Sequence, residues 1–107
     1  MSNVFIPYHT NAMAVAAVSI SRSLPDTAEN AVIYNDGPNV VFIHIGDDNV
    51  NASLPELSTN VGADGNGTPV PVGARVNLQV RPGSTKWAAI CRAAETASVY
   101  CTSGNGE

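Results

Sequence analysis

The chain has 107 residues, 44% of them hydrophobic and 13% charged, with a formal net charge of −4. That length makes one domain with a modest core, and a charged fraction well below the ~25% of an ordinary soluble domain points to a surface partly covered by other copies or by a larger body. One lysine, Lys86, and four arginines form no basic cluster, which argues against nucleic acid as a partner, and no apolar run approaches the ~20 residues of a membrane span.

The N-terminal MSNVFIPYHT lacks the basic start and continuous apolar segment of a secretory signal, so the chain is expected to be made in the cytoplasm and used without export. Asn3–Tyr8 (NVFIPY) reads as a short apolar strand. Pro7 inside it cannot donate a ladder hydrogen bond, which makes it an edge strand or an arm. Either it is tucked into its own domain or, as an arm over residues 1–11, it lies on a neighbour that covers Phe5, Ile6 and Tyr8. Ala12–Ser21 is read as strand rather than helix, because Val15, Val18 and Ile20 are β-branched and the Ser-rich exit offers no helix cap. Ser23-Leu24-Pro25-Asp26 makes a turn.

Ala31–Asp48 reads as two apolar strands around Asn35-Asp36-Gly37-Pro38-Asn39, the composition of a hairpin turn. Val40–Ile45 is apolar at nearly every position and expects cover on both faces. Residues 47–68 form a long polar loop rich in Asn, Gly and Asp, with Leu54, Leu57 and Val61 as candidates for pinning it to the domain. Pro69–Gly73 returns as an edge segment. Ala74–Val80 alternates cleanly, with Ala74, Val76, Leu78 and Val80 inward. Trp87–Cys91 and Ala97–Thr102 read as a last hairpin across Arg92–Thr96, and Ser103–Glu107 as a flexible tail. The tally is about seven short strands and no long helix: an all-β domain, a small β-sandwich or jelly-roll-like barrel.

Both faces of the last two strands are apolar. Trp87, Ala89, Cys91, Val99 and Cys101 share one, and Ala88, Ile90 and Tyr100 the other. One face must be core; the other is covered by a subunit or larger surface, or by the 47–68 loop folding over it. If the turn centres on Ala94, Cys91 and Cys101 are offset by about four residues, ~13 Å, too far to bridge; centred on Thr96, the turn sets them opposite each other. Reduced, buried thiols are expected, since free Cys packs as a small hydrophobe and the chain is made inside the cell.

Residues that could carry chemistry are few. His9 and His44 are the only histidines; His44 alternates with Phe42 on a strand, and His9 has no nearby acid in sequence. No serine sits in a nucleophile elbow, and zinc spacing is absent. Asp47-Asp48-Asn49-Val50-Asn51 and Asp64-Gly65-Asn66 offer oxygen ligands, but without the order of a calcium loop, and such residues also crowd into turns for local backbone reasons. Gly62–Gly67 lacks the Lys-Ser/Thr of a phosphate loop. No catalytic residue, metal ligand set or cofactor is expected.

The order Tyr34-Asn35-Asp36-Gly37-Pro38-Asn39-Val40-Val41-Phe42-Ile43, then Gly46 and a polar loop, continues through Pro71-Val72-Gly73, Leu78-Gln79-Val80-Arg81-Pro82-Gly83 and Trp87-Ala88-Ala89-Ile90-Cys91 to Ala97-Ser98-Val99-Tyr100-Cys101-Thr102 and Ser103-Gly104-Asn105-Gly106-Glu107. This resembles the small β-sandwich virion proteins of tailed bacteriophages, above all capsid cement or decoration proteins, over Ala31–Glu107. The matching motifs are turn and strand grammar rather than site signatures. The resemblance implies a homo-oligomer, dimer or trimer, that binds the major capsid protein on the outer surface of the virion shell, with no enzyme site to carry over. Phe5, Ile6, Tyr8, Leu54, Leu57, Ile90 and Tyr100 are the candidate contacts. The alternative reading is a carbohydrate-binding or host-attachment module of a phage tail or fibre, with Trp87 or Tyr100 as the sugar-stacking platform.

Overall fold

The structure is a computed structural model that describes residues 6–47, 50–54 and 65–105, with the backbone alone described at Ile6. Its strands are β1 (Ile6–Val15), β2 (Ile20–Ser23), β3 (Asn30–Pro38), β4 (Val41–Gly46), β5 (Thr68–Val70), β6 (Arg75–Gln79), β7 (Lys86–Ile90) and β8 (Ala97–Asn105). They form two four-stranded sheets, β1-β8-β3-β6 (sheet A) and β2-β7-β4-β5 (sheet B), with antiparallel ladders throughout. The nested pairings β1 with β8, β2 with β7, β3 with β6 and β4 with β5 are those of one long hairpin folded over and wrapped on itself, the jelly-roll topology.

The core lies between the sheets. Met13 and Val15 of β1, Ile33 of β3 and Val99 and Cys101 of β8 face Val41 and Ile43 of β4, Val70 of β5 and Trp87 and Ala89 of β7. Trp87 is the largest fully buried side chain. Its indole N–H donates to Asn11 Oδ1 at 3.1 Å, so a strand of sheet B is tied to a strand of sheet A. On β6 the alternation read from the sequence is present: Val76 and Leu78 pack on the core and Arg75, Asn77 and Gln79 are exposed. As an edge strand it is only half covered.

Three expectations are corrected. Neither the 35–39 turn nor the 92–96 turn closes a hairpin, because β3 and β8 lie in sheet A while β4 and β7 lie in sheet B. Turn chemistry reports that the chain reverses, not that it stays in one sheet. Asn39 and Val40 between Pro38 and Val41 suffice to cross the ~10 Å that separates packed sheets. With apolar inner faces on both β3 and β4, placing them in opposed sheets buries each against the other. Ala12–Ser21, expected as one strand, breaks at 16–19 and changes sheet in the same way, its first part continuing the strand that begins at Ile6 and its last residues opening β2. Residues 6–15 pair with β8 of their own domain, and Ser103–Asn105, expected as tail, completes β8.

The corner where the chain leaves sheet A is held by Asn35, which is fully buried. Its amide donates to Asn39 O and Val70 O, both at 2.8 Å, and its Oδ1 accepts the Gly37 N–H at 2.8 Å. Its main chain bonds Ala74 O and the Gly73 N–H. Gly37 has φ +92, and a Cβ there would meet Val72 Cγ1 at 3.0 Å, so glycine is required on both counts. Asn35→Leu keeps the volume but strands two carbonyls and an N–H, and is expected to lower stability by about 2–4 kcal/mol, read as a lower urea midpoint. An unchanged midpoint would show the network to be dispensable.

Candidate functional site

Successive side chains alternate across a sheet, so each sheet has an outer face, and here the two are treated differently. On sheet B, Ala88 is buried under Val50 and Ala52, with Ile90 packed beside them. The Ala52 N–H donates to Ser19 Oγ at 2.9 Å, and the Gly67 N–H to Ser53 O at 3.0 Å, which fastens this stretch of loop down. Phe42 on the same face is buried, with the Arg92 guanidinium 5.4 Å from its ring centroid. The expectation that the 47–68 loop folds over one apolar face is therefore met for Ala88 and Ile90. The residues that do it are Val50 and Ala52; Leu54 is half-buried, and Leu57 and Val61 lie outside the described residues. Phe5 also lies outside them.

No corresponding cover lies over sheet A among the described residues. Tyr34 of β3 and Tyr100 of β8 are directly opposite in register, their ring centroids 6.4 Å apart and their planes 25° from parallel. Tyr100 is 40% exposed. Across the four strands the row reads Ala12, Tyr100, Tyr34, Arg75, and the next row Thr10, Thr102, Val32, Asn77. Thr10 and Thr102 share a hydroxyl hydrogen bond of 2.7 Å, and Asn30 Nδ2 donates to Asn77 Oδ1 at 3.1 Å. Of the two stacking platforms read from the sequence, Trp87 is eliminated by its burial and Tyr100 stands in the open.

The two ends of the sandwich also differ. At one end the connections 16–19, 39–40, 71–74 and 91–96 converge, exposing Ala16, Ala17, Val18, Pro71, Val72, Ala93 and Ala94. Val18 is 79% and Val72 50% exposed, and Ile20 stands beside them on β2. The opposite end carries His9, Asp26, Glu29, Asp47, Arg81 and Lys86 around an open cleft of about 690 Å³ lined by Asp26, Thr27, Glu29, Arg81, Ser84 and Asn105. Sequence reading missed Val18 and Val72 because each looks like an ordinary strand-end valine. Only the convergence of the four connections makes them one surface.

At the charged end, His9 Nδ1 bonds Asp26 Oδ2 at 2.9 Å. Asp26 Oδ1 accepts the Thr27 N–H at 2.8 Å, and the Asp26 N–H donates to Ser103 Oγ at 3.3 Å. Tyr8, exposed, accepts from Asn105 Nδ2 at 2.6 Å. The arrangement joins β1 and β8 to the β2–β3 connection; the serine hydroxyl is engaged from the main-chain side of the acid. Among the described residues no three His, Cys, Asp or Glu side chains group at metal-binding distance. Both thiols are free and buried, Cys101 on β8 of sheet A and Cys91 just past the end of β7 of sheet B, rather than on partner strands. Burial pushes Cys101 up to about 12, and burial followed by the Glu95 charge raises Cys91.

Comparison with protein-family models, with curated proteins and with solved structures returns no match, so the functional reading rests on these residues.

Two outcomes follow from the geometry. Because only the thiolate reacts, neither cysteine should be labelled by iodoacetamide in the native protein at neutral pH and both should be labelled in urea; native labelling would contradict the burial. The His9 hydrogen bond, then the Thr27 N–H, hold the Asp26 carboxyl below its ordinary value. A depressed folded-state value stabilises above the unfolded carboxylate range and the gain is lost as pH falls through the folded value. Asp26→Asn should therefore flatten the fall of melting temperature on acidification. Parallel profiles for the two proteins would show that this contact carries no acid-linked stability.

Proposed function

We propose that this chain is a structural virion protein of the capsid cement type, a homo-oligomer that binds the major capsid protein on the outer surface of a tailed-phage shell. It works without a catalytic site or cofactor. The observation that carries the reading is the apolar end of the sandwich. Four short connections present small apolar side chains, with Val18 and Val72 protruding and Arg92 and Glu95 the charged residues among them, the mixed make-up of a contact surface on a domain with few charges. Val72 is braced from below by Gly37 and the Asn35 network, so the contact surface is held rigid before docking.

The resemblance over Ala31–Glu107 supports the same reading, and jelly rolls occur in viral capsid domains, an analogy of fold that lends no residue a role. A cement protein gains from many modest contacts made at once: each copy adds little, and an oligomer bridging several shell subunits adds the contacts as linked events. Rigid packing between two sheets suits a part that must not yield when the shell is stressed.

Burial of one valine is worth roughly 1.5–3 kcal/mol, or about ten- to a hundredfold in affinity. Val18→Asp combined with Val72→Asp should thus weaken co-sedimentation with expanded capsids by well over tenfold, while the melting temperature of the free protein stays near wild type. Wild-type protein that neither sediments with capsids nor raises their heat stability would remove the cement reading. Binding that survives the double substitution would move the contact elsewhere on the domain.

A further inference from the structure

We infer that the outer face of sheet A is a binding site for a neutral oligosaccharide, with Tyr100 and Tyr34 as the stacking platform. The two rings sit on the inner strands of the sheet, β8 and β3, so ladders on both sides fix their positions. With centroids 6.4 Å apart and planes 25° from parallel, the rings form one cross-strand aromatic pair, Tyr100 exposed and Tyr34 half-buried beside it. Ala12 beside Tyr100 is too small to wall the ring off, and Arg75 beside Tyr34 places a guanidinium at the far end of the row.

The chemistry of this face selects its occupant. A pyranose has a face of C–H groups and a rim of hydroxyls. The C–H face stacks on electron-rich rings, and the rim finds hydroxyl, amide and guanidinium groups of the kind that Thr10, Thr102, Asn77 and Arg75 supply around the tyrosines. An apolar protein surface laid on the same face would cover those polar groups without replacing their water. One carboxylate borders the platform, that of exposed Asp36 at the β3 bulge opposite Ser98, and it adds an acceptor for sugar hydroxyls to the rim. A net charge of −4 disfavours nucleic acid and acidic glycans, leaving a neutral sugar chain. The contrast with sheet B bears on the same point: there an apolar outer face is covered by Val50 and Ala52, whereas here Tyr100 is exposed and Tyr34 half-buried, with no such cover among the described residues.

This site is separate from the apolar end, and its test uses the isolated protein, so its fate does not depend on capsid binding. Cellotetraose, maltotetraose and chitotetraose are titrated into the isotope-labelled protein, and amide shifts are followed by NMR. At least one is expected to shift amides of residues 32–34, 75–77 and 98–102. Tyr100→Ala should weaken that binding at least tenfold, and Tyr100→Trp should retain it, both with unchanged melting temperature. The proposal is overturned if none of the three sugars shifts these amides up to about 10 mM, or if the shifts map to the charged-end cleft around Asp26 and Arg81. It is equally overturned if the same amides shift with protein concentration alone and sedimentation shows a dimer lost in Tyr100→Ala, for then the face belongs to a second copy.

Discussion

The roll turns on one buried amide. Asn35 uses both amide hydrogens and its side-chain oxygen on main-chain partners, and its own main chain binds the turn between β5 and β6. It thereby joins the end of β3, the crossing at 39–40, the end of β5 and the start of β6. These are the pieces that must meet if the hairpin of strands is to wrap rather than lie flat. A buried polar side chain with its groups satisfied specifies geometry in a way that an apolar one cannot, because only one arrangement of the four segments offers the acceptors. Val72 rests on this corner through Gly37, so the same amide that closes the fold also sets the height of the protruding valine.

Strand positions were legible in the sequence, and sheet membership was not. The alternation from Ala74 to Val80 and the continuous run from Val40 to Ile45 record burial on one face and on two, respectively, and both are realised. A turn such as Asn35–Asn39 records only a reversal, and whether it stays in a sheet depends on what the far strand packs against. The same ambiguity misplaced Cys91 and Cys101 on partner strands. Tyr100 could be picked out because its parity along β8 places it opposite Val99 and Cys101. Its openness could not, since that depends on where the 47–68 loop lies. Val18 and Val72, 54 positions apart, form part of one surface only through topology.

Two asymmetries organise the molecule. One runs from end to end, from connections rich in Ala and Val to a rim of His9, Asp26, Glu29 and Arg81; the other runs from face to face, from a covered sheet to one that is open among the described residues. The first suits a domain that docks on its end, and the second leaves a side wall available once it has docked. Neither depends on a reactive group. The polar side chains at the charged end are committed to joining strands, as His9, Asp26 and Asn105 are, and the two thiols are locked in the core.

The register that sets Ile6 across from Asn105 carries a practical corollary. The polypeptide enters and departs this domain side by side, at the extremity farthest from the greasy tip. Ile6 and Asn105, being paired, lie on neighbouring strands at the end opposite Val18 and Val72. A chain rejoined between Ile6 and Asn105, with new ends cut into an exposed bend, would need only a brief bridge.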